Sequence, residues 1–247
     1  MAEFETPSVW TPQRRRSQTL EVYLLGVVDF DSALFLQERL HQDIAQREDS
    51  LGVLLICEHP PVVTMGREGT MLDLEAESRE FQSRLMEVKR VARGGGTLVH
   101  SPGQVAAYPI LPIERSNQRP SNFVRKCVHA ACDMATEMKI NGAPTEDGTG
   151  VESRCGQFAW VGATIRDGVS SHGLFVNVAP DMELFRLIRL PRSVGSISMQ
   201  RMSPVPMPKV RESLIRNLAD QFGYEDVNFY TRHPLLTRKT RKVVEYA

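Results

Sequence analysis

Arg93-Gly94-Gly95-Gly96-Thr97-Leu98-Val99-His100-Ser101-Pro102-Gly103-Gln104 combines three consecutive glycines with a basic side chain, an imidazole and a Pro-Gly turn. Glycines let a ligand come up against bare backbone. An adjacent arginine offers a fixed fork of donors for a carbonyl, carboxylate or phosphate. A histidine can donate, accept or carry charge near neutral pH. A small-molecule pocket needs that combination; a tight structural loop is the plainer alternative. Val88 to Ala92 reads as a strand entering the loop and Val105 to Ile110 as a strand leaving it.

Outward from the loop, short apolar strands alternate with amphipathic helices. Glu21–Val28, Val53–Cys57 and Val62–Met65 read as strands, the second ended by His59-Pro60-Pro61 because prolines remove donors. Asp31 caps a helix over 31–47 with Ala33, Leu36, Leu40 and Ile44 on one stripe. The spacing predicts a charged helix over Leu72–Met86 and an apolar-striped one over 121–140, capped by Ser121. Residues 142–156 read as a loop. Phe158–Ile165 and His172–Val178 form a hairpin across Asp167-Gly168. Asp181–Ile188 is a short helix, 190–208 is irregular, and a last helix over 209–222 stops at Gly223. The pattern is α+β, a mixed β-sheet core flanked by helices. Residues 1–19 form a flexible N-terminal segment, 20–225 one domain, and 226–247 a C-terminal basic extension.

The 247 residues carry 30 basic and 30 acidic side chains, so no global field favours nucleic acid or a membrane. The basic runs Arg14-Arg15-Arg16 and 238–242 read as solvated termini or as a docking patch for an acidic partner. Cys57, Cys127, Cys132 and Cys155 have no metal-like spacing, and reduced thiols in a cytoplasmic protein are expected. The N-terminus lacks the apolar core of a signal peptide, and no apolar run reaches membrane-spanning length.

Four motifs in order carry a resemblance. They are Glu58-His59-Pro60-Pro61-Val62-Val63-Thr64-Met65-Gly66-Arg67; Arg93-Gly94-Gly95 with His100; Pro102-Gly103-Gln104 with Tyr108-Pro109-Ile110; and His172-Gly173-Leu174-Phe175-Val176-Asn177-Val178. Leu36-Gln37 after Asp29-Phe30 adds the start of a first helix. Over roughly residues 20–225 the chain resembles the lipoate-protein ligase B family of octanoyltransferases, within the biotin/lipoate protein ligase fold. The resemblance implies transfer of an octanoyl group from acyl carrier protein, through a cysteine thioester, to one lysine of a lipoyl domain. It implies no cofactor and no metal. It also implies an acyl pocket built from Arg93, Gly94, Gly95, Gly96, His100, Gly162, Ala163, His172 and Gly173, with Gly162 and Ala163 leaving room for the chain.

The departures fall on the chemistry. The family lysine, at the start of K-I-A-x-x-G, corresponds to Gln157. The family cysteine, in N-P-C-G, corresponds to Arg192 or Ser193 in Leu190-Pro191-Arg192-Ser193. Gly96-Thr97 resembles the GGGT-x-x-H of ATP-using lipoate ligase A. Cys155, between Arg154 and Gly156, is either a relocated nucleophile or an inert thiol. His59 is a loop hydrogen-bonder or a pocket residue, and His172 a satisfied strand-end histidine or a pocket residue. Three functions follow: an octanoyltransferase; an inactive relative that binds an acyl chain, a lipoyl domain or acyl carrier protein; and, third, an ATP-dependent lipoate or biotin ligase.

Overall fold

A computed structural model describes residues 18–116, 118–189 and 195–236. In chain order it contains β1 (Thr19–Val27), α1 (Phe30–Gln46), β2 (Gly52–Glu58), β3 (Val62–Met65), α2 (Ser78–Ser83), β4 (Glu87–Arg90), β5 (Thr97–His100) and β6 (Gln104–Ile110). There follow α3 (Pro120–Glu137), β7 (Ala143–Pro144), β8 (Gly150–Ser153), β9 (Gly156–Arg166), β10 (Val169–Asn177), α4 (Met199–Met202), α5 (Met207–Phe222) and β11 (Asp226–Tyr230). Single 3-10 turns lie at Met71–Asp73, Leu184–Leu187 and Pro234–Leu236.

The main sheet has the order β11-β1-β2-β6-β10-β9-β8-β7, and a second sheet has the order β4-β3-β5. The three strands β11, β1 and β2 run parallel; from β2 onward the pairs are antiparallel. Strand β2 is apolar at nearly every position because both its faces are covered. Leu54 and Ile56 join the cluster under α3 and α5, while Val53, Leu55 and Cys57 join the one under α1. The small sheet lies on the α1 side, where Leu98 packs into the same cluster as Tyr108, Trp160 and Phe175. The mixed sheet with flanking helices is the fold class read from the sequence. No helix of the described residues is long and apolar enough to cross a membrane.

The structure corrects several local readings. Residues 72–86 are not one helix: a 3-10 turn precedes a six-residue helix. The Asp73 carboxylate accepts from the Thr70 backbone N–H (3.0 Å) and the Thr97 hydroxyl (2.6 Å), which holds the chain in a turn. Leu72 lies exposed, so the segment has no continuous buried face to sustain a longer helix. Helix α3 starts at Pro120, whose fixed φ suits the first turn, and Ser121 is inside it rather than at its cap. The loop over 142–156 contains β7 and β8, and the glycine loop ends in strand β5. Asp167 (φ 50°) and Gly168 (φ 70°) close the predicted hairpin in the left-handed pair that two-residue turns require. Residues 226–230, read as part of an extension, pair with β1 at the sheet edge.

Candidate functional site

A cavity of about 280 Å³ opens between the glycine loop and the β8–β9 hairpin. Glu68, Arg93, Gly95, Gly96, Thr97 and Leu98 line one wall, and Asp147, Thr149, Gln157, Trp160 and Val161 the other. The second wall depends on an irregularity in β9. Val151 pairs with Ala159 but Glu152 pairs with Gln157, so Phe158 is an extra, unpaired residue. Phe158, Ala159 and Val161 belong to the core under α3. Gln157 and Trp160, three apart across the bulge, therefore share the opposite face; both line the cavity, and Val161 lines it too.

Arg93 is 1% exposed, an unusual burial for a guanidinium. Its Nη2 donates to the Thr64 carbonyl (2.9 Å) and to Thr64 Oγ1 (2.8 Å), and Nη1 donates to the Gly94 carbonyl (3.0 Å). Burial lowers its pKa to about 10, partly offset by Tyr108 and Glu68, so it stays a cation at neutral pH. Behind it runs a directional chain of hydrogen bonds. The Thr64 hydroxyl donates to His100 Nε2 (2.8 Å), and His100 Nδ1 donates to Gln104 Oε1 (2.7 Å). Gln104 Nε2 then donates to Asn177 Oδ1 (2.9 Å) and the Val99 carbonyl (3.0 Å). Each step fixes the direction of the next, and together they require neutral His100 with its proton on Nδ1. Burial first, then the neighbouring His59 and Arg93, hold that imidazole well below its ordinary pKa.

The nine residues expected to form the acyl pocket separate into two groups. Arg93, Gly95 and Gly96 line the cavity. His100 lies behind Arg93, fully buried between Phe30 and Phe175, and does not line it. Gly162 does not leave space for a chain. A Cβ on Gly162 would stand 2.8 Å from the Gly94 carbonyl oxygen and 3.0 Å from Arg93 Cδ, so Arg93 and the loop already occupy that ground. Gly94 is sewn to the hairpin by its N–H on the Ala163 carbonyl (2.9 Å). Gly173 lies against the backbone of β6, where any Cβ would overlap the Ala107 carbonyl. His172 sits beside Ala163 with φ 57° and is nearly buried. Its N–H donates to Gln37 Oε1 (2.9 Å), while burial and the charges of Arg93 and Arg67 lower its pKa to about 4. His59 is a structural link: Nδ1 donates to the Val28 carbonyl (2.8 Å) and Nε2 accepts from the Tyr108 hydroxyl (2.7 Å).

A model of the lipoyl protein ligase A/B catalytic domain matches residues 29–219. The chain belongs to that family. Among its relatives, an octanoyltransferase of Chloroflexus aggregans is 32% identical over 220 residues, covering 85% of this chain and 98% of the relative. An octanoyltransferase of Syntrophotalea carbinolica is 33% identical over 200 residues, covering 79% and 91%. A mitochondrial octanoyltransferase of Arabidopsis thaliana is 30% identical over 222 residues, covering 86% and 93%. A solved structure of lipoate-protein ligase A bound with ATP shares the fold at 14% identity, with a TM-score of 0.70 and 87% and 89% coverage.

Gln157 turns its amide back along its own strand and donates to the Ala159 carbonyl (3.0 Å). It packs over Gly150, where a Cβ would collide with it. Arg192 and Ser193, the two candidates for the place of the expected cysteine, lie outside the described residues. Cys155 is exposed on the turn between β8 and β9. It lines a different cavity, of about 510 Å³, with Phe185, Ile188, Arg189, Ser196 and Arg201. Gln157 pairs with Ser196 between the two cavities, its N–H donating to the Gly195 carbonyl (3.1 Å). None of the chain's four cysteines lines the Arg93 cavity.

The sequence reading missed Thr64, Gln104, Asn177 and Trp160 as parts of this site. Three of them lie inside the quoted motifs, so the signal was there. Trp160 occupies a position those motifs leave unspecified, and only the bulge at Phe158 reveals its direction.

Proposed function

We propose that this chain is an octanoyltransferase-like protein of lipoate biosynthesis. It takes an octanoyl group from acyl carrier protein in the Arg93 cavity and delivers it to a lysine of a lipoyl domain. The observation that carries the reading is the cavity between glycine loop and hairpin, with a prearranged buried cation in its wall. The transfer that suits these residues is direct aminolysis. The acceptor amine attacks the thioester carbonyl, a C–N bond forms as the C–S bond breaks, and the amine proton leaves with the carrier thiol. Neither a cysteine nor a lysine is needed for that balance; holding donor and acceptor together is the contribution of the protein. The four free cysteines suit the reducing cytoplasm.

A second reading, binding of the acyl chain without transfer, is favoured by one observation. Gln157 is neutral and engaged with Ala159, so it cannot polarise a carbonyl as an ammonium would. Intact mass spectrometry after incubation with octanoyl-acyl carrier protein and a lipoyl domain separates the two. The expected result is one octanoyl increment on the lipoyl domain and none on this chain. Retained octanoyl binding with an unmodified acceptor establishes the second reading. Absence of binding overturns both.

A further inference from the structure

We propose that Trp160 sets the length of the acyl chain that the Arg93 cavity accepts. The proposal rests on the acyl-binding reading of that cavity. At about 280 Å³ the cavity is at the small end for ligand sites, typically roughly 300–1,000 Å³. Its lining is polar around Glu68, Arg93, Thr97, Asp147, Thr149 and Gln157; the apolar lining comes from Leu98, Trp160 and Val161. A hydrocarbon tail gains from burial only against that apolar part. Trp160 is its largest member.

The indole is also held in place. Trp160 pairs with Gly150 on one side and Phe175 on the other, and joins the buried cluster that contains Tyr108, Phe175 and Leu98. It is 9% exposed, so it cannot turn outward without giving up that packing. The neighbouring position on the same face of β9, Gly162, is already covered by Arg93 and Gly94. A chain therefore cannot pass along the strand beyond the indole, and the space for more methylenes is the volume Trp160 itself fills.

The test is calorimetric binding of octanoyl-, dodecanoyl- and hexadecanoyl-pantetheine to the full chain and to Trp160→Leu, Trp160→Phe and Phe175→Leu. Wild type is expected to bind the octanoyl compound at least tenfold more tightly than the dodecanoyl one. Trp160→Leu is expected to reverse that order, each additional methylene that finds apolar wall being worth about fourfold in affinity. Trp160→Phe falls between. Phe175→Leu, which loosens the cluster behind the indole without lining the cavity, keeps the wild-type order. The inference is overturned if wild type prefers octanoyl but both Trp160 variants keep its profile. It is equally overturned if Phe175→Leu shifts the profile as far as Trp160→Leu. Wild type that binds none of the three compounds refutes the acyl-site reading itself.

Discussion

Two stretches of the hairpin strand β9 lie in contrasting surroundings. At Gly162 the strand packs against Arg93, whose guanidinium leads into Thr64, His100, Gln104 and Asn177, one continuous buried network. At Cys155 and Gly156 the same strand emerges into an exposed turn beside a larger cavity flanked by Arg186, Arg189 and Arg201. Two of those arginines face carboxylates in exposed pairs, Arg186 with Glu183 and Arg189 with Glu75, which contribute little to stability. The Arg93 region is thus built into the core, where a lost partner is costly. The Cys155 end is exposed surface, where substitutions cost little.

The strongest way to break this contrast is steric. Gly173→Ala drives a methyl into the Ala107 carbonyl, whereas nothing lies within 4 Å of a Cβ at Gly195 beside the open cavity. Urea denaturation should show a loss of about 3 kcal/mol or no folded protein for Gly173→Ala, and a change within about 0.5 kcal/mol for Gly195→Ala. Equal effects would abolish the distinction between the two regions.

Protonation offers a second probe. Unfolded histidines take up a proton near 6.5, but burial lowers His59 and His172 to about 4 in the folded chain and His100 well below the ordinary value. Between those values the unfolded state binds more protons, so stability is complete above about pH 6.5 and is lost as pH falls toward 4. The slope should approach about 1.4 kcal/mol per pH unit for each of these histidines. Urea midpoints that stay level from neutral pH to pH 4.5 would contradict the buried neutral network.

Removing one relay hydroxyl is milder. Thr64→Val keeps the shape but leaves Arg93 Nη2 and His100 Nε2 each short of a partner. It should cost about 2 kcal/mol in denaturation and weaken octanoyl-pantetheine binding about tenfold by loosening Arg93. Unchanged affinity would show that Arg93 does not depend on the relay for its position.

The smallest effect belongs to the open end. Cys155→Ser should leave stability within about 0.5 kcal/mol of wild type and leave octanoyl transfer intact. Iodoacetamide should label exposed Cys155 in the folded protein while Cys57 and Cys127, buried and pushed up in pKa, stay protected. Loss of transfer in Cys155→Ser would establish a relocated nucleophile and end the direct-aminolysis reading.

Much of the architecture was legible because the strands around the glycine loop alternate with helices carrying clear apolar stripes. The Asp167-Gly168 turn was legible for its backbone preference, and the family motifs pointed to Arg93, Gly95 and Gly96, which do line the cavity. Leu72–Met86 misled because its charges fit a helix face while Asp73 was diverted to Thr70 and Thr97, one of them distant in sequence. Gly162 misled for a similar reason. Small residues signal space, but only packing shows whether a ligand or another part of the chain fills it, and here Arg93 does.

By itself the sequence determined the mixed α+β class, the order of most elements, the family, and the absence of a lysine at position 157. Those properties are written in local periodicity, turn chemistry and residue identity. Tertiary structure alone decided that His100 supports Arg93 from behind, that Cys155 serves a different cavity, and that Trp160 faces the same space as Gln157. These depend on strand register, on one extra residue in β9, and on contacts between segments distant in sequence, none of which a local pattern encodes.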